Sequence, residues 1–295
     1  MDPLAELGQA LRATGYSFIT TTPETHRRVL ARRAEGTTLR DIFGWSRRFD
    51  PGAVDEKFVR LLERADALER NAQGNRSAVR YSTLGPLLCA HSAYPTVAPD
   101  SVFFGPDTYR FAALLTARVE DAGLVADVGC GSGAGGLLLA PRARSVQLLD
   151  VNPTAVRFAR ANAELNGVDV RVAHSDVLSG AEGTPDLVVA NPPYLADEQG
   201  RVYRDGGGEL GTDLSVRIVA EALDRLRAGG RLILYTGTPV VEGKHVLWPR
   251  LAPLLRGTRY DYRELDPDVF GEELDRPAYQ HAERIAVVAL DAVKR

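Results

Sequence analysis

The sequence predicts an α/β protein with a mostly parallel sheet, preceded by a smaller and mainly helical N-terminal region. Three observations carry this. Beyond residue 100, apolar runs of strand length alternate with helical stretches, the grammar of βαβ crossovers. The first of those runs leads directly into a glycine-rich segment, and before residue 75 the apolar spacing is helical. The chain's 295 residues are enough for one large domain or two modest ones, here read as 1–100 and 101–295. With 44% hydrophobic and 25% charged residues, it is neither a disordered, a collagenous nor a coiled-coil chain. No run approaches the roughly 18 to 20 apolar residues of a membrane span, and the opening MDPLAELGQALRATG lacks a basic segment followed by an apolar one. A soluble, cytoplasmic protein without membrane partners is expected.

In order along the chain, Phe58, Leu61, Leu62, Ala65 and Leu68 recur at helical spacing and predict a helix over 58–70 with one core-facing stripe. Residues 78–94 are rich in β-branched, aromatic and turn residues and predict short strands or a hairpin; Pro95 and Pro99 bracket a linker. Strands follow at 124–129, 145–150, 168–174, 186–190 and 231–237, then at 258–265 and 284–290. Asn152 and Pro153 suit the N-cap and first position of a helix that ends at Gly167.

The two cysteines, Cys89 and Cys130, form no CxxC, and the five histidines lack ligand spacing, so neither disulfides nor a metal site is expected. Net charge is −3, with no global attraction to nucleic acid. The first hundred residues carry a net +2. Within them Arg27, Arg28, Arg32, Arg33, Arg40, Arg47 and Arg48 face only Glu35 and Asp41 between residues 25 and 49, which reads either as a polyanion or substrate patch or as a solvated helix face.

The glycine run places a ligand at a helix N-terminus, at the C-terminal edge of the sheet. Gly131, Gly133 and Gly136 satisfy GxGxxG with Asp150 downstream, so a dinucleotide dehydrogenase is one reading. Asp127, Gly129, Gly131 and Gly133 form a DxGxGxG run, whose acid can steady the loop and receive an ammonium group. That run resembles the first motif of class I S-adenosylmethionine-dependent methyltransferases. The resemblance implies a Rossmann-like sheet of seven strands, the last antiparallel, with S-adenosylmethionine as cofactor. It puts the ribose hydroxyls on Asp150 and the adenine amine on Asp176, with Val151 and Val177 beside them and Phe104 as an apolar wall for the methionine end.

The fourth strand of this series ends in Asn191-Pro192-Pro193-Tyr194, the NPPY form of a motif of methyltransferases that act on nitrogen joined to a planar, conjugated group. Such a nitrogen has a delocalised lone pair and attacks a sulfonium methyl poorly. Asn191 can accept one of its N–H bonds through the side-chain oxygen, while the resemblance gives the other to the Pro192 carbonyl. Tyr194 offers a flat face for stacking. Neither proline has an N–H, and Pro192 biases Asn191 towards extended backbone. No general base is demanded.

The combination of helical N-terminal region, β segment, DxGxGxG and NPPY resembles the HemK/PrmC-like methyltransferases, which modify a glutamine side-chain amide in translation release factors. The resemblance implies a release-factor-like protein as partner. RNA is the alternative, because NPPY also serves enzymes that modify guanine N2 or adenine N6 of RNA or DNA; a small metabolite is third, and a non-catalytic binding module is a further class. The sequence departs from the family in Phe103-Phe104-Gly105, where a charged residue is usual, and in residues 201–215. Arg201, Arg204 and Gly206 to Gly208 read as a mobile substrate loop or an ordinary surface loop. Pro106 and Asp107 either border the site or simply start a helix.

Overall fold

The computed structural model describes residues 1–33, 35–197 and 203–295. The N-terminal region is helical first: α1 (Pro3–Arg12), α2 (Pro23–Leu30), α3 (Leu39–Phe43) and α4 (Glu56–Arg64). Each begins at a residue whose oxygen accepts a first-turn N–H: Asp2, Thr22, Thr38 and Asp55. Helix α4 is shorter than the apolar stripe predicts. Asp66 turns left-handed at φ 53°, Ala67 donates back to Leu62, and Leu68 opens a strand instead of a further turn. Two small antiparallel pairs follow, β1 (Leu68–Asn71) with β2 (Gly74–Ser77) and β3 (Val79–Leu84) with β4 (Leu87–Ser92). The second is the hairpin expected over 78–94.

From α5 (Pro106–Arg118) onwards, strands and helices alternate: β5 (Ala122–Val128), α6 (Ala134–Leu139), β6 (Ala143–Asp150), α7 (Pro153–Asn166), β7 (Arg171–His174), β8 (Leu187–Ala190), α8 (Asp213–Arg225) and β9 (Arg231–Val241). A short β10 (Lys244–His245), α9 (Trp248–Leu251), β11 (Arg259–Asp266) and β12 (Arg284–Val293) complete the chain. Seven strands lie in the order β7-β6-β5-β8-β9-β12-β11, with β10 paired to β9. Strands β5 to β9 are mutually parallel; β12 runs antiparallel between β9 and β11, so the last strand is inserted rather than added at the edge.

Buried side chains of α5 and α6 cover one face of the sheet, with Ala159 and Ala163 of α7 beside them; α8 and α9 cover the other. The central strands read as near-continuous apolar runs because both faces are buried: Leu187 to Ala190 of β8 are all buried. The other side of α7 presents Ala155, Phe158, Ala161 and Leu165 to Leu4, Leu7, Tyr81, Leu88 and Ala90, forming the N-terminal core. Helix α7 thus belongs to two cores at once. Strand order reverses between β5 and β8, and open α/β sheets bind ligands beyond the carboxyl ends of their strands at such a point.

Candidate active site

A cavity of about 450 Å³ opens at that reversal, lined by residues following β5, β6, β7 and β8. Four strand ends each contribute a distinct kind of group.

After β5 the backbone enters the left-handed region three times, at Gly129 (φ 65°), Gly131 (φ 54°) and Gly133 (φ 80°), where a Cβ would be strained. Gly129 and Gly131 line the cavity, whereas Gly133 does not. Gly133 serves packing: a Cβ there would lie 2.9 Å from Leu148 Cδ1. Asp127, 2% exposed, accepts from Gly136 N–H at 2.7 Å and so ties the end of β5 to the first turn of α6. Burial, opposed by that N–H, pushes its carboxyl up to about 7. Asp127 also lines the cavity.

Asp150, at the end of β6, accepts from Gly131 N–H at 2.8 Å through Oδ2 and from Asn152 N–H at 2.8 Å through Oδ1. One carboxylate therefore joins the glycine loop to the start of α7. Burial raises its pKa, with the two N–H groups pulling the other way. Val151 beside it is apolar yet 47% exposed at the cavity, and Asn152 caps α7 through Thr154 N–H as expected. After β7, both oxygens of Asp176 are held by Arg217 at 2.8 Å, which lowers its pKa. Val177 also lines the cavity, in a left-handed conformation (φ 50°) rare for a β-branched residue; its carbonyl accepts from Ser175 Oγ.

After β8 come Asn191, Pro192 and Tyr194, all on the cavity wall. Among the described residues the Asn191 side chain has no hydrogen-bond partner, so its amide is unspent. Tyr194 is 6% exposed; its hydroxyl donates to Asp107 Oδ2 at 2.6 Å and its ring meets Phe270 edge-on at 6.1 Å.

Phe104 is not part of this wall. Its ring is fully buried against His91 (4.9 Å, stacked) and Tyr109 (5.6 Å), and the neighbouring Phe103 lines the cavity instead. The two adjacent phenylalanines meet different surroundings, and the sequence does not say which faces the cavity. The ring of Phe103 lies parallel to Tyr203 (6.1 Å, 9°), a cavity residue that composition did not single out. Tyr203 Oη donates to the Thr96 carbonyl, fastening the segment after NPPY to the linker. Arg204 is not a free loop cation: it pairs with Asp197 at 3.4 Å and with Glu273. Gly206 N–H returns to the Leu195 carbonyl at 2.9 Å, and Arg201 lies outside the described residues.

The arginine-rich stretch is also largely engaged. Arg27 and Arg28 share Glu24, Arg33 and Arg47 share Asp41, Arg48 donates to Asn71, and Arg40 donates to the Ser17 carbonyl. Among the described residues no group of three His, Cys, Asp or Glu side chains could hold a metal ion.

Residues 106–242 match the family model of the methyltransferase small domain. The chain is 37% identical over 176 residues to a release factor glutamine methyltransferase of Deinococcus radiodurans, covering 55% of this chain and 59% of that protein. It is 38% identical over 122 residues to the ribosomal RNA small subunit methyltransferase C of Chromohalobacter salexigens, covering 41% and 34%. The chain thus spans less than two thirds of these curated relatives. Among solved structures, Trm5b from Pyrococcus abyssi superposes with a TM-score of 0.54 at 18% identity over 77% of this chain and 62% of that one. The T. thermophilus 16S rRNA N2 G1207 methyltransferase in complex with AdoMet and guanosine gives 0.50 at 20% identity, over 84% and 63%. These superpositions speak to the fold. The chain thus shares its fold with these methyltransferases, and residues 106–242 are similar to the methyltransferase small domain.

Proposed function

We propose that the protein transfers a methyl group from S-adenosylmethionine to a planar nitrogen, with a protein glutamine side-chain amide as the acceptor. The observation that carries this is the unspent Asn191 amide in the wall of a cavity that the glycine loop also lines. The residues present fit the cofactor. Asp150 stands at the sheet edge where a ribose would meet it, Val151 offers an exposed apolar face for a purine, and the buried Asp127 is a partner for an ammonium group.

Bound there, the cofactor supplies an electrophilic methyl on a sulfonium. Asn191 Oδ1 accepts one N–H of the acceptor amide and the Pro192 carbonyl the other, drawing both hydrogens to one side and the lone pair towards the methyl. Tyr194 stacks on the planar group. The nitrogen sheds its proton to water after transfer, so the acceleration comes from in-line positioning and fixed dipoles. The relatives named for release factor glutamine methylation favour the amide; the ribosomal RNA relatives favour an RNA base as the second reading.

Labelled methyl transfer into an extract of cells lacking this protein separates them. The amide reading expects label that protease releases and nuclease does not, recovered as a methylated glutamine after complete digestion. Label released by nuclease moves the acceptor to RNA, and no label at all defeats the methyltransferase reading.

A further inference from the structure

Asp107 sits in the first turn of α5, where an acidic residue ordinarily serves the helix by capping it or favouring its dipole. Its hydrogen bonds show a different use. Gly105 holds the N-cap position, and the two Asp107 oxygens accept from tyrosine hydroxyls far away in sequence: Oδ2 from Tyr194 at 2.6 Å and Oδ1 from Tyr235, on β9, at 2.8 Å. Arg110 pairs with the same carboxylate at 3.0 Å and bridges it to Asp266. Asp107 is only 5% exposed and also lines the cavity. Burying a carboxylate is costly unless its partners are specific, and here the partners are the NPPY tyrosine and the central sheet.

The consequence for Tyr194 is that its ring is held at three points. The hydroxyl is fixed by Asp107, one edge meets Phe270, and the ring lies so close to Gly237 that a Cβ there would stand 2.1 Å from Tyr194 Cδ2. We propose that Asp107 is the positioning residue of the acceptor site: it clamps the Tyr194 ring against β9 and thereby sets where a planar acceptor lies relative to Asn191. This rests on the methyl-transfer reading for its catalytic consequence, but the clamp itself can be read without turnover.

Protein labelled with 3-fluorotyrosine reports the clamp, the Tyr194 resonance being assigned by its disappearance in Tyr194→Phe. Asp107→Ala is expected to shift and broaden that resonance and to lower the initial rate of labelled transfer into the deficient extract by about ten- to a hundredfold. S-adenosylhomocysteine affinity should stay within about threefold, because the hydrogen bonds of Asp127 and Asp150 do not involve Asp107. Asp107→Ala combined with Tyr194→Phe should be no slower than the slower single variant. An unmoved resonance, a full transfer rate, or losses that multiply in the double variant would each overturn the proposal. Should Asp107→Ala fail to fold, Tyr194→Phe, which removes only the hydroxyl, decides: the same loss with retained affinity supports the clamp, and a full rate defeats it. If the unaltered protein transfers no label, the methyl-transfer reading falls and the fluorine resonance alone judges the clamp.

Discussion

Asn191 and Asp127 face the same cavity with opposite histories: one amide has made no bond among the described residues, while one carboxyl has already committed an oxygen to Gly136. If Asn191 is the acceptor's hydrogen-bond partner, Asn191→Ala should reduce transfer by orders of magnitude and leave the calorimetric affinity for S-adenosylhomocysteine nearly unchanged; surviving activity would remove it from the mechanism. Asp127 makes a pH prediction. Burial raises its pKa from the ordinary 3.8 to about 7, so below that pH the unliganded carboxyl is largely protonated and an ammonium ligand must displace the proton. Affinity for S-adenosylhomocysteine should therefore rise about tenfold between pH 6 and pH 8 and then level off, and Asp127→Asn should flatten the profile. The same shift makes this group's contribution to stability greatest below its unfolded pKa. That contribution declines as pH rises and is gone above the folded value near 7. The placement of Asp127, Asp150 and Asn191 in one cavity was legible because each belongs to, or follows from, a motif at a strand end. Tyr235 and Tyr203 were not, since a tyrosine in an apolar strand or a loop announces nothing about the carboxylate or carbonyl it will reach.

At the scale of elements, two asparagines on α7 finish the edge of a strand. Asn162 Oδ1 accepts from Ala90 N–H at 2.7 Å, and its Nδ2 donates to the Ala90 carbonyl and to the Ser132 carbonyl, both at 2.9 Å. One turn on, Asn166 does the same for Leu88 N–H (3.1 Å) and its carbonyl (2.9 Å). Spaced i and i+4, the two amides stand where a neighbouring strand's backbone would, and Asn162 reaches on to the glycine loop. Asn162→Ala leaves three buried backbone groups without that partner and should cost about 2 to 3 kcal/mol, read as a lower urea midpoint with an unchanged slope. A midpoint equal to the unaltered protein's would show that water or a shifted strand replaces the amide. The helix itself was legible from its caps, Asn152, Pro153 and Gly167, and the parallel strands from their apolar runs. The ladder was not, because an asparagine inside a helix pattern ordinarily reads as exposed. The end of α4 was hidden for a related reason: Leu68 keeps the apolar spacing of the stripe although it belongs to β1.

For the whole molecule, the boundary near residue 100 falls between segments that share one core. Phe158 and Leu165 of α7 are 6% and 3% exposed because α1 and the β3–β4 pair cover them, and a Cβ on Gly8 would meet Leu165 Cδ2 at 2.4 Å. Removing residues 1–100 would return these side chains to water, at about 1.5 to 3 kcal/mol for each large one. The fragment 101–295 is expected to melt at least 10 °C lower than the full chain and to bind a hydrophobic dye; an equal melting temperature with full S-adenosylhomocysteine affinity would show the two halves to be independent. The change of pattern near residue 100 did not disclose this sharing, since α7 carries apolar residues on two sides and the spacing alone does not assign each side its partner. The shared helix also has a bearing on synthesis. Residues 1–92 leave the ribosome before residues 153–166 exist, so the first region must wait, its docking face and the free edge of β4 uncovered, for some sixty residues of further chain. In that interval its apolar face is open to solvent and to other nascent chains, and slowing translation between residues 92 and 166 would lengthen the exposure without altering the finished fold.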